Sequence, residues 1–102
     1  MQQNEITVLA KLKVQHGQEN FFRQEMFKVI PITRKEKGAL TYILHVSSEQ
    51  ATDFIVYEKW VTKADLDAHL NAPHMQEFFK NIKPILAEEP EITIYNELNS
   101  LS

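Results

Sequence analysis

Glu58, Trp60, His69 and His74 fall within seventeen residues of one another in this chain. Histidine is the side chain that most readily moves a proton near neutral pH. Tryptophan offers a flat aromatic wall and one N–H donor for a planar ligand. Glu58 lies two residues before Trp60, so on a strand both point to the same face. A carboxylate aimed at a covered face must be paired, hydrogen-bonded or protonated. Together these groups could transfer protons to and from a flat, electron-rich molecule. Each also has a purely structural use: Trp60 as core, Glu58 in an ion pair or on a helix amide, His69 in a buried hydrogen bond and His74 as a helix cap. The histidines are five residues apart across a proline, not the four of a helical metal pair, and no acidic cluster at ligand spacing accompanies them. No metal site is expected.

The surrounding pattern must position these groups. Residues 5–14 alternate, with Ile6, Val8, Ala10, Leu12 and Val14 on one face, which is the period of a strand. From about Gln18 the period becomes helical, with Phe22, Met26, Val29 and Thr33 as a stripe. Pro31 falls inside it and predicts a kink or a restart. The run Arg34-Lys35-Glu36-Lys37 followed by Gly38 reads as a solvated helix end. Residues 39–47 and Asp53 to Val61 predict two strands joined by a polar hairpin connection. Thr62 to Asp65 predicts a helix cap, Asn71-Ala72-Pro73 a break, and Pro73 the first turn of a further helix. Pro84 ends or bends that helix. EITIYNEL after Pro90 predicts a fourth strand, with a short tail after it.

The order β-α-β-β-α-β is the ferredoxin-like arrangement, an α+β fold. It implies a four-stranded antiparallel sheet with its helices on one face. The third strand is apolar on both sides, Ile55 and Tyr57 opposing Phe54, Val56 and Trp60. Such a strand needs cover on both faces. A second copy of the sheet is the simplest cover, so a homodimer is expected. His45 lies on the strand face opposite Tyr42 and is read as structural or interfacial. Arg34 and Tyr42 are lesser pocket candidates.

Composition narrows the function classes. The whole chain, residues 1–102, fits one domain. A formal charge of −3 with scattered signs argues against a nucleic-acid partner. The absence of cysteine excludes disulfides, thiolate catalysis and cysteine-ligated centres. No apolar run approaches a membrane span and the start MQQNEI lacks a signal peptide's apolar core, so a cytoplasmic protein with no membrane partner is expected. Gly17 and Gly38 are the only glycines, too few for a phosphate-cradling loop.

Tyr57-Glu58-Lys59-Trp60, then Leu66-Asp67-Ala68-His69-Leu70, then Pro73-His74-Met75 resemble the antibiotic biosynthesis monooxygenase family. The resemblance extends over nearly the whole chain, including Val8 to Val14 and the turn from Arg34 to Gly38 into Tyr42. It implies a dimeric α+β barrel of ferredoxin-like subunits. It also implies cofactor-independent oxygenation of hydroquinols or anthrone-like polyketides, in which the deprotonated substrate itself reduces oxygen. On that reading His69 or His74 transfers the proton, Trp60 and Glu58 line the substrate pocket, and Tyr57 or Asn71 donates to a developing oxyanion. Two alternatives stay open. One is a cofactor-free isomerase of a small phosphorylated carbonyl signal molecule, an activity of other members that resemble this chain. The other is a non-catalytic ligand-binding dimer.

Overall fold

A computed structural model describes residues 5–99. The expected termini, the polar start before Glu5 and the end of the tail from Ser100, lie outside the described residues.

The chain runs β1 (Ile6–Lys13), α1 (Glu19–Thr33), β2 (Ala39–Val46), β3 (Asp53–Trp60), α2 (Lys63–Leu70), α3 (Pro73–Ile82), a 3₁₀ turn (Lys83–Ile85) and β4 (Glu91–Tyr95). The sheet order is β2-β3-β1-β4 and every neighbouring pair is antiparallel. This is the ferredoxin-like α+β fold expected from the element order.

Period-two alternation decides the two sheet faces. Val8, Ala10, Leu12, Phe54, Val56 and Trp60 are buried beneath the helices, with Phe22, Met26, Val29, Met75, Phe78 and Ile82 packed onto them. Phe22 and Phe54 stack with ring centroids 4.6 Å apart. α1 and α3 are further tied by the buried Glu25. Its Oε1 accepts from Asn81 Nδ2 at 3.0 Å, and its Oε2 accepts from Lys28 Nζ at 2.7 Å.

α1 does not restart at Pro31; it continues to Thr33. Proline there removes a single late hydrogen bond and its ring is exposed. The Arg34 amide still donates to the Ile30 carbonyl at 3.0 Å, which closes the last turn. α2 is capped by Thr62, whose Oγ1 accepts from the Asp65 amide at 3.1 Å, the expected cap. It ends where Ala72 turns extended ahead of Pro73, and Pro73 opens α3. β4 stops at Tyr95, three residues short of the expected strand.

Gly38 makes the turn from α1 into β2 with φ +81°. A Cβ there would meet the Asp65 side chain, its Cβ at 2.7 Å among other atoms. Gly38→Ala therefore combines a left-handed backbone with a collision. We expect a loss of about 2 kcal/mol or more, read by urea denaturation; an unchanged midpoint would refute the strain.

Candidate active site

The turn that Gly38 allows throws Glu36 back beneath α2. There its Oε1 lies 2.6 Å from His69 Nδ1. His69 is 1% exposed, packed 4.8 Å from the Trp60 ring and 5.4 Å from the Tyr42 ring, centroid to centroid. An ionised carboxylate can only accept, so Nδ1 carries the hydrogen. With the hydrogen on Nδ1, the lone pair is left on the other ring nitrogen, Nε2.

The α2–α3 break brings in His74. As the second residue of α3 it reaches back so that Nε2 stands 3.3 Å from Thr33 Oγ1 and 3.8 Å from Glu36 Oε2. The three ligand-type atoms of Glu36, His69 and His74 lie within 4.8 Å of one another. The arrangement is a carboxylate–imidazole pair with a second imidazole beside it, drawn from three separate segments.

On the sheet, Glu58 and Tyr42 are cross-strand partners and both are buried. Trp60 Nε1 donates to Glu58 Oε1 at 2.8 Å. Burial pushes the Glu58 carboxyl up to about 7, offset in part by the Trp60 bond and reinforced by the Glu36 charge. Burial, then the Glu58 charge, pushes the Tyr42 phenol well above its ordinary value. Burial also holds the His69 imidazole below its ordinary value, against the hydrogen bond and charge of Glu36. Arg34 is engaged elsewhere, donating through Nε and Nη2 to the Tyr42 carbonyl at 3.1 and 2.8 Å.

Tyr42, Glu58, His69, Leu70, Phe79 and Ile92 are among the residues around a small, partly open cavity of about 20 Å³, room for roughly one water. Phe79 and Pro90 also border a surface cleft of about 450 Å³. That cleft is larger, yet none of its lining residues is a histidine or tyrosine.

Of the residues singled out in the sequence, His69 and His74 are brought together, and Glu58 borders the same cavity as His69. Trp60 is close but differently used. It is fully buried behind His69 with its N–H spent on Glu58, and it does not border the cavity. Tyr57 and Asn71 are not brought here. Tyr57 pairs with Leu9 and Ile43 on the opposite sheet face. Asn71 caps α2, its Nδ2 donating to the Asp67 carbonyl at 2.9 Å. His45 also lies on that opposite face, beside Ile55. Two participants escaped the sequence reading: Glu36, hidden in a basic run, and Thr33, read only as part of a helical stripe.

The sequence profile of the antibiotic biosynthesis monooxygenase family matches residues 5–81. The chain is 29% identical over 90 residues to sll1783 of Synechocystis, covering 88% of this chain and 61% of that protein, under two thirds of its length. It is also 29% identical over 90 residues to the Escherichia coli K12 protein named "Probable quinol monooxygenase YgiN", covering 76% of this chain and 85% of YgiN. Among solved structures, a conserved protein of Methanosarcina mazei Go1 superposes with a TM-score of 0.88 at 29% identity, covering 92% of this chain and 93% of that one. Rv0793 of Mycobacterium tuberculosis superposes with a TM-score of 0.88 at 21% identity, a likeness of fold alone, over 96% of this chain and 99% of that one. With the profile spanning most of its length and the fold matching, the chain belongs to the antibiotic biosynthesis monooxygenase family.

Proposed function

We propose that this protein is a cofactor-independent monooxygenase of a quinol or a phenolic, polyketide-like aromatic. The observation that carries the reading is the Glu36–His69 pair, which leaves His69 Nε2 as the free base of a ring bordering an apolar cavity. Glu36 fixes the tautomer, as a carboxylate does for a general-base histidine. Nε2 takes a proton from the substrate, and the resulting anion is electron-rich enough to reduce oxygen. For an anthrone-type methylene the balance is complete: one oxygen atom becomes the new carbonyl, and the other leaves as water with the two methylene hydrogens. Glu58, when protonated, is a donor toward the oxygen that gains charge. Exclusion of water keeps these interactions strong.

A cavity of about 20 Å³ cannot hold such a substrate, since small-molecule sites run to roughly 300–1,000 Å³. The reading therefore includes displacement of Phe79, which with Pro90 is shared by the cavity and the outer cleft. The test is oxygen uptake by the chelator-treated protein against hydroquinols and anthrones. We expect uptake above autoxidation. Turnover that persists unchanged without oxygen would replace the reading with isomerisation by the same histidine, and binding without turnover with a non-catalytic role.

We further propose that the protein acts as a homodimer through the outer sheet face. Leu9, Ile43, Ile55, Tyr57 and Tyr95 form an apolar group there, with Ile43 44% and Tyr95 48% exposed. Apolar faces of this kind mark association surfaces. Ile43→Asp is expected to shift the mass in solution from two chains to one, measured by light scattering. A wild-type protein already monomeric at micromolar concentration would refute it.

A further inference from the structure

We propose that Glu36, His69 and His74 form a binding site for a divalent first-row transition ion of the zinc type. The ion would take the place of the hydrogen between Glu36 and His69, and the ring hydrogen would move to Nε2. This inference does not depend on the oxygenase reading.

The donor set is two imidazole nitrogens and one carboxylate oxygen, which suits zinc, cobalt or nickel and not magnesium or calcium. Its atoms lie within 4.8 Å of one another. Any three atoms so spaced share a point no more than about 2.8 Å from each. Contraction by several tenths of an ångström brings them to the roughly 2.0–2.2 Å of zinc–nitrogen and zinc–oxygen bonds. The groups that must move are the freer ones, since the His74 and Glu36 side chains are 17% and 20% exposed while that of His69 is 1% exposed. That partial exposure also supplies the ion's path.

The electrostatics favour a cation. Among the described residues, no lysine or arginine pairs with Glu36, whose only ionic partners are the two histidines. Arg34, two residues away, is held on the Tyr42 carbonyl. The Thr33 hydroxyl lies 3.3 Å from His74 Nε2, the nitrogen that faces Glu36, so an ion bound there would take the place of that contact. Three protein ligands leave a fourth position for water or a ligand oxygen. A neutral imidazole that ligates through Nδ1 carries its ring hydrogen on Nε2, so a bound ion would leave Nε2 without a lone pair and inhibit proton abstraction from the side away from the cavity.

The experiment is titration of the full, tag-free, chelator-treated chain with zinc by calorimetry and with cobalt by its visible absorption. We expect saturable binding of one ion per chain and cobalt bands of a four- or five-coordinate site. Affinity should fall at least about ten-fold in Glu36→Gln and in His74→Ala, and stay unchanged in His16→Ala and His45→Ala. Circular dichroism of each variant checks that it folds. His74 and Glu36 are chosen over the buried His69 for that reason. No saturable binding in the wild type, equal binding in His74→Ala, loss in His16→Ala or His45→Ala, or tighter binding of magnesium than zinc would each overturn the proposal. Metal binding by a protein that shows no oxygenase activity when metal-free would support the site and refute only the function proposed above.

Discussion

His69→Ala is expected to lower kcat for oxygen uptake about a hundred-fold or more, and Glu36→Gln about ten-fold or more, with KM little changed. General bases contribute about 10²–10⁴-fold, and His69 is the imidazole that borders the cavity. Glu36 acts one step back. Its carboxylate accepts from Nδ1, so the lone pair is left on Nε2. A glutamine can turn its amide N–H toward Nδ1, which places the ring hydrogen on Nε2, where a base cannot have it. Glu36 does not border the cavity, so its loss should appear in kcat and spare substrate binding. A purely structural carboxylate would instead lower stability and leave the kcat of the folded fraction intact. The measurement is steady-state oxygen consumption on metal-free protein, with the folded fraction fixed by circular dichroism. Full kcat in either variant would remove the dyad from the mechanism.

The fold was legible because its signals are local. Alternation in β1 and β3, the Thr62 cap and the Pro73 restart each follow from the preferences of a few adjacent residues, and the element order then leaves one common topology. The site was legible only in part. Glu58 and Trp60 share a face by strand parity, and the hydrogen bond between them follows from it. The same parity already puts Tyr57 on the other face, so it could have been withdrawn on sequence grounds alone. Asn71 at a helix end before Ala72-Pro73 was likewise a cap before it was a donor. Glu36 could not be found this way. Its partner His69 is thirty-three residues distant, and a lone acid among Arg34, Lys35 and Lys37 looks solvated. The available hint was Gly38, whose positive φ reverses the chain there; which side chain the reversal delivers, and to what, is settled by packing. Trp60 teaches the converse. Its side-chain type suggested a pocket wall, while its 0% exposure makes it the support behind His69.

Glu58→Gln is expected to stabilise the protein at pH 8 relative to wild type, and to lose that advantage near pH 4. The Glu58 carboxyl is raised from an ordinary 4.5 to about 7, first by desolvation. A group raised on folding contributes stability fully below its unfolded value, and that contribution is lost as pH climbs through the folded value. The window is therefore about pH 4.5 to 7. At about 1.36 kcal/mol per unit, the cost of holding the ionised form in the folded protein at pH 8 approaches about 3 kcal/mol. Glutamine keeps an oxygen to accept from Trp60 Nε1 and carries no charge to desolvate. The groups facing Glu58 are Tyr42 across the strand pair, Trp60 on its own strand, and His69 and Glu36 from the helical side. They are common to both proteins, so their direct titrations largely cancel in the difference. Urea denaturation of both proteins at pH 4.5 and pH 8 reads it. A difference independent of pH would mean that Glu58 ionises freely, and with it would go the protonated carboxyl as a hydrogen-bond donor in the cavity. A difference that grows through pH 6 and 7 would place a carboxyl that is still part protonated beside a neutral imidazole at about pH 7. Those are the two protonation states needed to take a proton from one atom of a bound aromatic and to support charge on another.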